Sequence, residues 1–167
     1  MIWRLATRAD PAAALVADRH YSRQKPGTPQ FMPTGSALVL YSNINGQEAV
    51  WGTSWPLEEY TKHEWAGAWA CTIFRNETMA RASGMIRNAV AATRFHYGEP
   101  PAQGMVTFVD EAAVRDKSHP GHAFIIAGFR VVGRTKRREY LALVLRPDRM
   151  PRPQPALGMQ HGLELAA

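Results

Sequence analysis

The chain carries one cysteine, Cys71, in 167 residues, so an internal disulfide is excluded. That fits a reducing compartment. Cys71 lies in the apolar run AWACTIF and reads as a buried, inert thiol rather than a nucleophile. No apolar run approaches the roughly 20 residues that span a bilayer. The N-terminus MIWRLATRAD lacks the apolar core of a signal peptide. A cytoplasmic protein without a membrane partner is the expectation. Metal-ligand spacing is also missing: His20, His63, His96, His119, His122 and His161 form no HxH or HxxxH pair, and Cys71 has no partner. Ligands from separate segments, such as His20 with Asp110 or Glu77, stay open, so a metal ion such as iron is allowed without being required.

Acidic charge is in short supply. Lys and Arg total 20 against 14 Asp and Glu, a net charge of +6. The surplus is uneven. Residues 27–114 hold five basic and eight acidic side chains, residues 115–152 ten basic and three acidic, and the first 26 residues five basic and two acidic. A polyanionic partner such as nucleic acid fits positive charge at both ends of the chain; a solvated basic face is the plainer reading.

At 46% hydrophobic and 20% charged residues, the chain suits one globular domain. IWRLA (Ile2–Ala6) reads as an opening strand. Asp10 and Pro11 read as the cap and first residue of a helix running to about His20. SALVLYS and EAVWGTSW form a hairpin about the turn NING. AWACTIFR is the next strand. A helix follows, with Ser83 as its cap and Gly98 as its stop. GMVTFVD has the near-continuous apolar run of a central strand. PGHAFIIAGF reads as a short helix, and RVVGRT and YLALVLR as the last two strands. Residues 148–167, which begin within RPDRMPRPQPALG (146–158), read as an extended Pro-rich tail after a domain of residues 1–147. The strand–helix–strand unit in the middle implies one parallel pair in an otherwise antiparallel sheet.

This order is similar to the GCN5-related N-acetyltransferase (GNAT) fold, an acyl-CoA N-acyltransferase-like α+β architecture. That resemblance implies a mixed, mostly antiparallel sheet with helices on both faces. AGFRVVGRT also resembles a passage common in that superfamily. The glycine-rich loop that holds the coenzyme A pyrophosphate is replaced by FRNETMARASGM, which counts against acetyl-CoA. Four segments, DRHYSR, IFRNE, AVAATRFHYGEPPAQGMVTFVD and HPGHAFIIAGFRVVGRTK, resemble the Mom family of phage DNA-modification proteins in the same order. The resemblance implies a transferase that adds a small carbamoylmethyl-type group to adenine N6 in double-stranded DNA, hiding it from host restriction enzymes. It leaves the donor, the metal requirement and the oligomeric state open, and implies the host cytoplasm for a phage-encoded protein. The alternatives are a conventional N-acetyltransferase acting on a small amine or a protein, and a non-catalytic nucleic-acid-binding protein on the same fold.

The residues admit a matching chemistry. His20 can accept a proton near neutral pH. Tyr21 can donate a hydrogen bond or stack on a base. With Ser22, these two form a polar turn at the end of the first helix, which in the acyltransferase fold borders the substrate. A helix end favoured by histidine is the plainer reading. Arg75 suits bidentate binding of a carboxylate or phosphate, and Asn76 suits an adenine edge. Glu77 and Asp110 are candidate acid–base carboxylates, though an ion pair and a turn cap would also account for them. Ser83, at the head of the central helix, could help hold an anionic cosubstrate. Arg130, Arg134, Lys136, Arg137 and Arg138 form a strip for the phosphate backbone. Of the five tryptophans, Trp55 at the edge of the irregular 56–67 region and Trp65 within it, with Tyr60, are the ones expected to stack on bases.

Overall fold

The computed structural model describes residues 1–23, 25–114 and 119–160. Arg115 and Lys117 of the basic segment, and His161, lie outside the described residues. The protein is an α+β fold with one seven-stranded sheet, ordered β1-β2-β3-β4-β5-β7-β6. In chain order the elements are β1 (Arg4–Ala6), α1 (Pro11–Asp18), β2 (Ser36–Ile44), β3 (Gln47–Trp55), β4 (Trp69–Asn76), α2 (Ala82–Tyr97), β5 (Met105–Val109), α3 (His122–Ile126), β6 (Arg130–Arg134) and β7 (Leu141–Leu145). All neighbouring strands are antiparallel except β4 and β5, which run parallel around α2. Among the described residues no helix is long and apolar enough to cross a membrane.

Local chemistry sets the element ends. Asp10 caps α1 by accepting the Ala12 and Ala13 amides at 3.0 and 3.2 Å, and Pro11 supplies the fixed φ of a first helical residue. The helix stops at Asp18, two residues before the expected His20, because the next backbone amides turn back onto Val16 and Ala17. Asn45 and Gly46 both have positive φ, as the tightest hairpin turn requires, and Asn43 accepts the Gly46 amide. One expected cap is misplaced. Arg81, not Ser83, is the extended residue before α2, and its carbonyl accepts the Met85 amide. Ser83 is already inside the first turn and buried against the core.

Alternation along the strands divides the interior into two layers. Leu38, Leu40 and Trp51 face α2, whereas Val39, Tyr41 and Val50 face α1. Trp3, Trp51 and Trp69 are fully buried in the α2 layer, and the Trp3 indole donates to the Met85 carbonyl at 2.9 Å. Residues 150–160 run without regular structure across α2 and back to β1. Gln154 donates to Ala91, Leu157 exchanges backbone bonds with Trp3 and Leu5, and Met150 and Ala156 are buried.

The close approach of β5 and β7 depends on Gly104. Its φ is +74°, and a Cβ there would meet the Leu145 carbonyl oxygen at 2.1 Å. Gly84, in α2, faces open space. Gly104→Ala is expected to lose about 2–4 kcal/mol through strain and backbone displacement. Gly84→Ala should gain about 0.4–1 kcal/mol from helix propensity and a stiffer unfolded chain. Thermal melts of the two variants test this; equal shifts would contradict it.

Candidate active site

Strands β4 and β5 pair only at Trp69–Met105, Ala70–Val106 and Cys71–Thr107. The Thr107 hydroxyl closes the last rung by donating to the Cys71 carbonyl at 3.2 Å. Beyond it the strands part. β4 stays with β3 and β5 stays with β7, so each keeps a ladder on its outer side only. A cavity of about 540 Å³ fills the gap. It passes through the sheet, because its lining draws on both layers: Ile73 from the α1 side, Phe74 and Phe124 from the α2 side.

A bulge on β4 sets what points where. Thr53 pairs with Cys71 and Gly52 with Ile73, so Thr72 is an extra residue. Past the bulge the alternation reverses. Cys71 and Phe74 share the α2 layer, while Ile73 joins the α1 layer. Arg75 stands opposite Val50 and therefore on the α1 side as well.

The turn after α1 closes one side of the cavity. His20, Tyr21, Ser22 and Arg23 line it, with Asp110 from the end of β5. The His20 and Tyr21 rings stack at 4.3 Å. The Ser22 amide, which can only donate, bonds His20 Nδ1 at 3.1 Å, and the Ser22 hydroxyl lies 2.7 Å from the same nitrogen. The neutral imidazole therefore carries its proton on Nε2. The Tyr21 hydroxyl accepts the Asp110 amide at 3.4 Å and keeps its own proton to donate. Burial pushes the phenol above its ordinary range. Asp110 Oδ1 accepts the Ala112 and Ala113 amides, so this carboxylate both caps a turn and borders the cavity. Arg23 anchors the turn from beneath: it bonds Asp18 at 2.7 Å, and Thr28 through both its carbonyl and its hydroxyl. Cys71 also lines the cavity, but burial raises its thiol well above the usual range and it stays protonated.

Arg75, Asn76, Glu77 and Ser83 stand apart from this lining. Glu77 accepts both nitrogens of the Arg19 fork, at 2.8 and 2.7 Å, and Arg75 Nε at 2.5 Å. Arg75 also donates to the Arg19 carbonyl at 2.7 Å. The cluster fastens the end of α1 to the end of β4 and leaves neither Arg75 nor Glu77 facing the cavity. The bulge sets Arg75 on the α1 side, and its bonds to Glu77 and to the Arg19 carbonyl hold it at the end of α1, away from the lining. Asn76 is spent on its own loop: it accepts the Thr78 amide and hydroxyl and donates to the Ala80 carbonyl.

A second cavity of about 340 Å³ adjoins the first, and the two share His63, Phe108, Arg138 and Tyr140. Arg134, Lys136, Arg137 and Arg138 of the expected strip line it, together with Lys62 and Trp65. Arg130, at the far end of β6, does not. Of the three aromatics expected to stack on bases, Trp65 lines one of these two cavities and the others line neither. Trp55 packs on Trp69 and Tyr97, and Tyr60 is exposed. His63, Phe108 and Tyr140 escaped sequence reading. Alternation along β5 was the available signal for Phe108, and adjacency to the basic turn for Tyr140. Among the described residues, no group of three or more His, Cys, Asp or Glu side chains is placed to hold a metal. No protein-family model, curated protein or solved structure matches this chain.

The Arg19 fork, with Arg75, holds the Glu77 carboxyl at about 2, below its ordinary 4.5. A depressed carboxylate contributes stability that is fully present above the unfolded value and is lost as pH falls toward the folded one. Wild-type stability should therefore decline between about pH 4.5 and 2. Glu77→Gln should be less stable at neutral pH and flatter across that window. Parallel thermal-stability curves over this acid range would contradict the assignment.

Proposed function

We propose that the protein is a transferase of the acyltransferase-like fold that modifies adenine in DNA, in the manner of the Mom family. One observation carries this reading. A cavity bordered by an imidazole, a phenol and a carboxylate opens into a second one whose lining is aromatic and basic. DNA chemistry on an exocyclic amine needs that combination: a pocket for the extruded base, and cations outside it for the strand. The target adenine sits between β4 and β5. As N6 bonds the transferred carbon of the donor and the donor's leaving group departs with the electrons of its old bond, Asp110 takes the proton that N6 loses, His20 donates a hydrogen bond through its Nε2–H, and Tyr21 holds the base through its ring or hydroxyl. Ser22 sets the histidine tautomer. Arg75 and Glu77 brace the turn from outside.

The element order and the single parallel pair at the sheet centre support the acyltransferase-like fold. The loop before α2 speaks against acetyl-CoA. The amides of Thr78, Met79 and Ala80 are already bonded to Asn76, Gln47 and Thr78 side chains, so they are not turned toward a pyrophosphate. A conventional N-acetyltransferase loses its main support there.

Three results test the proposal. DNA from cells expressing the protein, digested to nucleosides, should yield an adenosine of new mass, and an unchanged nucleoside profile would overturn the reading. His20→Ala and Tyr21→Phe should stay folded and bind DNA while modification falls on the order of a hundredfold, the usual scale for losing an acid–base group. Wild-type rates in these variants would return the turn to a structural role.

Replacing Lys136, Arg137 and Arg138 together with alanine should weaken duplex binding for all sequences. It should also shallow the salt slope by about one unit per lost phosphate contact. An unchanged slope would mean that these side chains make no phosphate contacts.

A further inference from the structure

The smaller cavity is more than a track of cations. His63, Trp65 and Phe108 form a contiguous aromatic wall, with ring centroids 5.3 Å apart for His63–Phe108, 5.7 Å for Trp65–Phe108 and 5.9 Å for His63–Trp65. Trp65 and Phe108 are only partly buried, unlike the core tryptophans. The Trp65 amide donates to His63 Nδ1, which fixes that ring, and the indole lies over Gly133, where a Cβ would come within 4.0 Å. Facing the aromatics are Lys62, Lys136, Arg137 and Arg138, with Glu64 the one acidic residue of the lining. Arg134 is partly neutralised by Glu111 at 2.6 Å. At about 340 Å³ the space is at the small end of ligand pockets, which run from roughly 300 to 1,000 Å³. A duplex exposes no base face to such a wall. An unstacked base does, and aromatic stacking with flanking cations is how single strands are held.

We propose that this cavity is a stacking subsite for the nucleotide next to the target adenine, so that the protein engages a strand unstacked over two nucleotides, not one. This rests on reading the larger cavity as the seat of the target base. Arg138 and Tyr140 belong to both cavities, which puts a guanidinium where the phosphate between the two nucleotides passes. The Arg138 guanidinium also lies 5.9 Å from the Tyr140 ring, so it stays at the partition. The substrate class that follows is single-stranded or locally melted DNA, with intact duplex bound more weakly at equal charge.

A fluorescein-labelled single-stranded pentamer with a central adenine tests this by anisotropy. Trp65→Ala should weaken its binding about tenfold or more with the salt slope unchanged, because stacking releases no counterions. Trp65→Phe should keep most of the affinity. Should the alanine variant melt early, Phe108→Leu is expected to show a loss of similar size. In the unsubstituted protein the pentamer should quench tryptophan fluorescence, with a smaller quench in Trp65→Phe. Wild-type affinity in folded Trp65→Ala or Phe108→Leu would overturn the subsite. So would 5′-AMP displacing the pentamer at equal concentration, since the cavity would then hold a free nucleotide. Binding through Trp65 without any modified adenosine in cells would support the subsite and overturn the transferase reading instead.

Discussion

The site exists because two parallel strands stop pairing. β4 and β5 share a ladder from Trp69 to Cys71 and from Met105 to Thr107, and then diverge. A sheet normally resists such a gap, because each strand would leave backbone groups without a partner on one side. Here the cost is limited by what holds the outer sides. β4 remains bonded to β3, and β5 to β7 along its whole length. The gap is therefore a stable, water-accessible opening in the middle of a sheet whose edges are intact.

Two devices furnish that opening. The bulge at Thr72 reverses the alternation of β4, which brings Phe74 to the α2 layer and removes Arg75 to the α1 side. There Arg75 joins Arg19 and Glu77 in a cluster that fastens the end of α1. The fastened end presents His20, Tyr21 and Ser22 to the cavity, and Tyr21 reaches across to the Asp110 amide. A bulge, an ion-pair cluster and an aromatic turn thus meet at the end of α1 beside the gap.

The elements were legible in the sequence because their signals are local. Asp10 before Pro11, Asn45 with Gly46, Gly98 after α2 and the alternation of β2 and β3 each fix a boundary within a few residues. The site was legible only in part. His20, Tyr21, Ser22 and Asp110 stood out as polar residues where a helix and a strand end. Arg75 and Glu77 carried the same signal, yet they pair with each other and with Arg19, a partner too distant in sequence for the spacing in FRNE to show. Ser83 looked like a cap because serine favours that position, but the helix began one residue after Arg81 and buried it. The wall of His63, Trp65 and Phe108 joins a loop to β5 from more than forty positions away, beyond what spacing can reveal.

The central claim is that the cavity and the aromatic–basic groove act on one strand at once. Hydrogen exchange of the protein with and without a duplex carrying mismatched adenines tests it most directly, since a mismatch lowers the cost of extruding the base. The account predicts protection in three places together: the turn of His20 to Ser22, the end of β5 through Asp110, and the segment from Arg134 to Tyr140. Protection confined to the basic segment, with the turn and the end of β5 exchanging as in the free protein, would contradict it.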